Sequence, residues 1–441
     1  MKKVSEEGLV RGIRQWDLVG VVINSIIGAG IFVVPAKSFG LIGNYSLIAF
    51  VVGAFVTLLI ILCFAEVGSR FTGTGGPYLY AREAFGPAVG FQVGWMNWIA
   101  RISAFATNCN LLVIYLSFFW PAAGSGIRRA LLITGVTLAL TTINYLGVRD
   151  AAITSNIFTI AKLLPLIFFI GVGLFFITPD SFVLGERPPY GSFSTAVLLL
   201  IYAFTGFENA SVPAGEIVNP RRNMPFAILI GIAIVTAFYL LIQTVCIGTL
   251  PNLGGTERPL AEAAGMFLGP LGASIIAAGA ITSIIGNLNV AILTTPRILF
   301  AMATHRELPQ SLGEVHSRFR TPHIAILITA GLMLALTLSS SVIYALTVST
   351  IARLLAYAAT CVALPKLRRA KDVQPALVSI PGGVVVSALA VLLTVWLLSN
   401  STLREARDAA IGVVVGLVIY FAYRFSRRHV AASADPTLQE E

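Results

Sequence analysis

Apolar residues run along this chain in stretches too long for the strands or half-buried helices of a soluble core. A helix that crosses a bilayer needs about 20 mostly apolar residues. On that rule about twelve spans are expected, at 16–36, 41–65, 84–119, 128–147, 152–177, 193–216, 225–249, 268–302, 323–340, 342–364, 381–399 and 409–425. The third is overlong, so it is either steeply tilted or begins with turns outside the membrane. The predicted class is an all-α polytopic membrane protein.

Two spans are interrupted. The first holds NSIIGAGIF at 24–32, and the sixth holds YAFTGFENASVP at 202–213. Glycine loses the most backbone entropy on ordering, so these positions weaken a helix. The N–H and C=O groups freed at membrane depth need new partners, which confines such breaks to cavities and binding sites. Matched breaks in spans 1 and 6 predict two five-span repeats, 16–177 and 193–364, with spans 11 and 12 (381–425) outside them. An odd number of spans per repeat inverts the second copy. Residues 1–15 and 426–441 are flanking segments, the end of the second polar and expected to be disordered. Residues 251–262 carry Pro, Gly and charge; they read equally as a short helical lid or as an ordinary connector.

Charge then orients the chain. Only 11% of the residues are charged, well under the roughly 25% of a soluble domain. The net charge of +10 suggests nucleic acid until its sources are placed. With both termini on one side, 20 basic residues fall in loops of that side and 7 in the opposite loops. This asymmetry predicts cytoplasmic termini. It is an orientation signal, and no nucleic-acid partner is implied. Cys63, Cys109, Cys246 and Cys361 lie in or beside apolar stretches without metal-ligand spacing, so neither a disulfide nor a metal site is expected. The charged first 15 residues lack a signal-peptide cleavage pattern.

A charge at a helix centre costs about 2.5–3.5 kcal/mol on insertion scales, so each of Arg101, Lys162, Glu208 and Arg353 needs a partner or a purpose. Ser155, Thr159 and Lys162 recur at i, i+4 and i+7, sharing one face that is expected to look into the bundle. Burial penalises a charged amine, and a group whose protonation can change suits a proton carrier; the bland reading is a lysine that props broken-helix carbonyls. Asn97, Arg101, Ala104 and Asn108 form a second stripe, read as a polar seam. Glu208 is the one acid deep in the broken sixth span, and a gate or ion pair with Arg101 or Arg353 is open. Ser283 and Asn287, one turn apart, offer oxygens for a cation or for the Lys162 ammonium, or simple interhelical hydrogen bonds. Tyr202, Phe204 and Phe207 flank the second break, where Phe204 reads equally as a gate or as core.

Four ordered segments are also familiar. IIGAGIF at 26–32, GGPYLY at 75–80, GEIVNPRRNMP at 215–225 and LTTPR at 293–297 resemble the pattern of the amino acid–polyamine–organocation transporter superfamily. The resemblance covers roughly residues 12–370. It implies the inverted five-plus-five repeat of the leucine-transporter fold, with an amino acid as cargo. Carried over by position, the backbone around Ser25, Ile26, Gly28, Ala29 and Gly30 would receive the substrate carboxylate, as a helix N-terminus suits an anion. Carbonyls near Tyr202, Phe204 and Thr205 would receive the amino group. Lys162 matches the fifth-span lysine of proton-coupled bacterial members. Ala29 stands where some relatives have Ser, and Glu208 where relatives often have Asp or Asn.

The leading expectation is therefore a proton-coupled amino acid transporter of a bacterial-type plasma membrane, with no cofactor. An amino acid or polyamine exchanger in which Lys162 is structural is the alternative. A transporter-like sensor is expected to carry a large soluble domain or long tail, and these residues hold neither. An enzyme needs a catalytic constellation, and none is visible.

Overall fold

A computed structural model describes residues 8–339, 342–399 and 403–434. Lys2 and Lys3 of the first flanking segment, the tail from 435, and the side chains of Arg404, Arg427 and Arg428 lie outside the described residues. Among the described residues fifteen α-helices follow one another, with no β-strand. They are α1 (Gln15–Ile26), α2 (Val34–Ile42), α3 (Ser46–Gly68), α4 (Pro77–Phe85), α5 (Pro87–Phe119), α6 (Gly126–Leu146), α7 (Val148–Gly173), α8 (Tyr190–Phe204), α9 (Pro220–Thr249), α10 (Pro259–Thr294), α11 (Pro296–Thr304), α12 (His323–Ser339), α13 (Val342–Arg369), α14 (Gly383–Ser399) and α15 (Leu403–Ala434). Eight helical segments of the described residues are long and apolar enough to cross a membrane, and α12 and α14 are shorter apolar helices.

Both expected breaks are present. α1 stops at Ile26, a 3-10 turn covers Gly30–Phe32, and α2 restarts at Val34 with Pro35 in its first turn. α8 stops at Phe204, and 3-10 turns at Phe207–Ala210 and Ala214–Glu216 replace the rest of that span. The overlong third span is two helices, because Gly86 at φ 94° ends α4 before Pro87 opens α5. Residues 251–262 fold into a 3-10 turn, Leu253–Gly255, and the first turn of α10. At the far end α15 continues to Ala434, so the helix passes the boundary at 425 and enters the segment expected to be disordered.

α7 shows why such helices need a bilayer. Ile153, Ile157, Ile160, Leu164 and Ile167 form an exposed apolar stripe, while Ser155, Thr159 and Lys162 are buried on the opposite face. Charge inside and hydrocarbon outside is the arrangement of a helix solvated by lipid. α1 is held within the bundle by α7, α9 and α10, and α5 by α10, α12 and α13.

One end of the bundle gathers the basic loops into ion pairs. Arg297 and Glu216, both fully buried, form a bidentate pair with Nε–Oε2 and Nη2–Oε1 at 3.0 Å. Arg368 pairs with Glu66 at 2.6 Å, and Arg82 with Glu307 at 3.0 Å. The backbone joins in at the same end, where the Gly12 and Ile13 N–H groups donate to the Glu216 carbonyl at 3.0 Å.

Candidate functional site

The end of a helix leaves its last carbonyls without intrahelical partners. In α1 these carbonyls end inside the protein, and side chains from three other helices meet them. Lys162 of α7 donates from Nζ to the carbonyls of Ile27 (2.5 Å), Asn24 (3.2 Å) and Ser283 (3.3 Å). Asn287 of α10 donates to the carbonyls of Ser25 (2.7 Å) and Asn24 (3.2 Å). The Ser283 hydroxyl lies 3.1 Å from the Ile27 carbonyl and 3.4 Å from that of Gly28. A cation is also favoured there by the negative end of the helix dipole.

Lys162 therefore sits behind the first break, fully buried. An ammonium has three protons, and three carbonyls surround it. The rest of its stripe faces the same helix: Thr159 donates to the Gly20 carbonyl at 3.1 Å, and Ser155 accepts from Asn24 Nδ2 at 3.0 Å. Ser283 meets Lys162 through its backbone carbonyl, while Asn287 bonds the α1 carbonyls of Asn24 and Ser25.

The two breaks lie against each other. Gly206, at φ 114°, brings its backbone so close to α1 that a Cβ there would stand 2.5 Å from the Ser25 carbonyl oxygen. Only glycine tolerates that φ without strain. The Tyr239 hydroxyl of α9 lies 3.1 Å from both the Ile26 and the Ala203 carbonyls, so its single proton ties one break to the other. Asn209 completes the junction by donating to Ser25 Oγ at 3.1 Å.

Between the breaks is a narrow cleft of about 40 Å³, smaller than an open small-molecule site. Ser25, Ile26, Gly28, Ala29, Gly30, Tyr202 and Thr205 line it, as does Asn287. Ala104 and Asn108, from the α5 stripe, form another wall, and Arg353 of α13 closes it. Among the described residues, the backbone N–H groups of Ala29, Gly30 and Ile31 donate to no protein acceptor. They are free donors at the start of a helical turn, the arrangement that suits a carboxylate.

The Phe204 ring, which read equally as a gate or as core, does not line the cleft. It is fully buried and packs on Tyr239 with centroids 5.1 Å apart, in the core and away from the cleft. The other polar groups divide cleanly. Glu208 Oε2 accepts from the Tyr357 hydroxyl at 2.7 Å and the Gly206 N–H at 2.9 Å, and Oε1 lies 3.7 Å from Arg353. Arg353 Nη1 donates to Thr205 Oγ1 at 2.7 Å. Arg101 instead bonds Asn97 (3.0 Å) and Thr294 (2.9 Å), and Thr294 leads through Asn209 to Ser25. Of the two arginines, Arg353 is the one paired with Glu208.

Sequence reasoning missed Tyr239, Tyr357, Asn24 and Asn209. A tyrosine in an apolar helix gives no signal that separates it from core. Asn24 and Asn209 lie inside the recognised break segments, and polarity there is a usable signal.

Spanning helices with two apposed breaks and a polar cleft between them are the build of a membrane permease. The family model described as "Amino acid permease" matches residues 13–422, and the chain belongs to that family. It is 30% identical over 426 residues to the serine/threonine exchanger SteT of Bacillus subtilis, covering 93% of this chain and 96% of that one. It is 28% identical to the branched-chain amino acid permease BcaP of the same organism, covering 96% and 95%. An uncharacterized transporter of Mycobacterium bovis is 29% identical over 351 residues, 78% of this chain and 77% of that protein. The protein is thus a multi-pass membrane transporter and not an enzyme.

Proposed function

We propose that this permease is a secondary active transporter that takes up amino acids by alternating access, with the proton as coupling ion and Lys162 as its carrier. The single observation behind this reading is the position of the Lys162 ammonium, which joins α7 to the broken end of α1 and to α10. Protonation there controls hydrogen bonds at the very segment that frames the cleft. A proton drives a conformational cycle only through such a difference between states.

In this reading the carboxylate of the cargo sits on the free N–H groups of Ala29 and Gly30, beside Ser25, Ile26 and Gly28. Its amino group meets the backbone near Tyr202, Phe204 and Thr205. Twelve spans, with 16–177 and 193–364 as inverted repeats and 381–425 beyond them, complete the architecture. The ion-paired end of the bundle, with both termini, faces the cytoplasm across a plasma membrane, as the charge asymmetry requires.

The polyamine alternative is disfavoured by Glu208, whose carboxylate is taken up by Tyr357, Gly206 and Arg353 and stands off the cleft. Exchange of amino acids is the second reading, favoured by the relative described as a serine/threonine exchanger. In that case Lys162 is a fixed prop for the α1 carbonyls. Labelled amino acids offered to proteoliposomes with an inward pH gradient and no counter-substrate separate the two. Accumulation above equilibrium supports proton coupling. Labelling that needs an internal counter-substrate, whatever the gradient, supports exchange.

A further inference from the structure

Among the described residues, Arg353 is the one charged side chain on the wall of the cleft. It is more than nine-tenths buried, and its Nε has no hydrogen-bond partner in the protein. Its nearest acid does not absorb it. Glu208 Oε1 stands at 3.7 Å, an ion-pair distance but too long for a hydrogen bond, while Oε2 is held by Tyr357 and Gly206. Arg353 Nη1 donates to the Thr205 hydroxyl at 2.7 Å, a side-chain oxygen that itself lines the cleft.

The surrounding charge runs the same way. Arg101, also buried, leaves its Nη2 without a partner and bonds only neutral oxygens of Asn97 and Thr294. Glu208 thus faces two guanidinium groups, and the balance beside the cleft is one positive charge. A buried cation with spare donors is costly until an acceptor reaches it. The remaining walls are small or neutral: Ala29, Ala104, Ala203, Asn108 and Asn287.

We propose that Arg353 reads the side chain of the cargo, and selects amino acids whose side chain carries an acceptor oxygen over apolar ones of the same shape. This rests on the amino acid transport reading and narrows it. The hydroxyl of Thr205 marks the position where such an oxygen is tolerated against the guanidinium. An apolar side chain leaves the donors unmet, and a cationic one meets two guanidinium groups, Arg353 and Arg101, set against the single carboxylate of Glu208. Hydroxyl, amide and carboxylate cargoes share the required chemistry, and a carboxylate adds charge complementarity.

The test uses matched pairs on the full-length protein in proteoliposomes: threonine against valine, asparagine against leucine, and aspartate and arginine alongside. Wild type is expected to favour the oxygen-bearing member of each pair by about ten- to a hundredfold, the worth of a hydrogen bond to a charged group. Arg353→Met is expected to bring that ratio close to one, by weakening the oxygen-bearing member of each pair far more than the apolar one. Because this variant strands Glu208, Arg353→Met with Glu208→Gln is measured as well, and the same collapse of the ratio is expected. A merely structural Arg353 would lower both members of a pair together. A wild-type ratio near one, arginine preferred over aspartate, or a ratio kept in a folded variant would overturn the proposal. Should neither member of any pair bind or be transported, the failure lies with the amino acid reading itself.

Discussion

The Lys162 ammonium stands 2.5 Å from the Ile27 carbonyl, across the gap between α7 and the broken end of α1. Ile27 is the residue at which α1 leaves helical geometry, with ψ at 87°. A carbonyl freed by a helix break has thus become the acceptor for a buried charge. The same substitution of side chain for backbone recurs at Asn24 and Ser25 through Asn287. The irregular backbone is stable because its bonds are supplied from outside the helix.

Asn287→Ala removes the side-chain donor to the Ser25 carbonyl and one of two donors to that of Asn24. Each lost hydrogen bond of this kind contributes about 1 kcal/mol. We expect a measurable drop in melting temperature in detergent and weaker cargo binding, since Asn287 also lines the cleft. Unchanged melting and unchanged affinity would show that the α1 carbonyls do not depend on it.

Gly206→Ala tests the contact between the breaks. The added Cβ meets the Ser25 carbonyl oxygen at 2.5 Å, and the backbone there is at φ 114°. Neither neighbour is a flexible side-chain tip, so α1 and the second break must separate. Transport is expected to fall at least tenfold, read as initial uptake per inserted protein. Wild-type rates would mean that the two breaks need not touch.

Arg297 and Glu216 make a paired loss easy to separate from a single one. Removing one partner of a fully buried ion pair strands a charge and costs about 3–5 kcal/mol. Arg297→Met alone is expected to lower the yield of folded protein sharply. Arg297→Met together with Glu216→Leu should recover much of it, as judged by a monodisperse peak in size-exclusion chromatography. Equal yields from single and double variants would contradict a stranded charge.

Glu307 supplies a pH dependence outside the membrane. Burial holds its carboxyl above the usual range, against the opposing bonds from the Tyr78 hydroxyl at 2.8 Å and Arg82 at 3.0 Å. The folded protein then keeps a proton that the unfolded chain has already released. That stability is complete below the unfolded value of about 4.3 and is lost as pH rises through the raised folded value. Melting temperatures of wild type should decline across this window relative to Glu307→Gln. Parallel pH profiles for the two proteins would reject the assignment.

Much of this site could be read from spacing alone. Glycines at 28, 30 and 206 gave both breaks, because few other causes interrupt an apolar span so sharply. The period of Ser155, Thr159 and Lys162 marked the face of α7 that meets α1, whereas the α5 stripe read as a polar seam and only packing puts Ala104 and Asn108 on the cleft wall. Pairing was not legible. Arg353 and Arg101 looked alike as buried cations, and only the packing of α13 and α5 places the first at Glu208 and the second at Thr294. Arg297 and Glu216 read as loop charges, since no local pattern reports a contact between residues so far apart in the chain. Tyr239 was invisible because an aromatic ring in an apolar helix looks the same whether or not its hydroxyl has work to do.

The most direct test of proton coupling is Lys162→Gln, with cargo binding, exchange and pH-driven uptake measured on the same purified protein in proteoliposomes. Glutamine keeps a polar donor beside the α1 carbonyls but cannot gain or lose a proton in this range. Binding and exchange are expected to persist while the acceleration by an inward pH gradient disappears. Undiminished pH-driven accumulation by folded Lys162→Gln would contradict it.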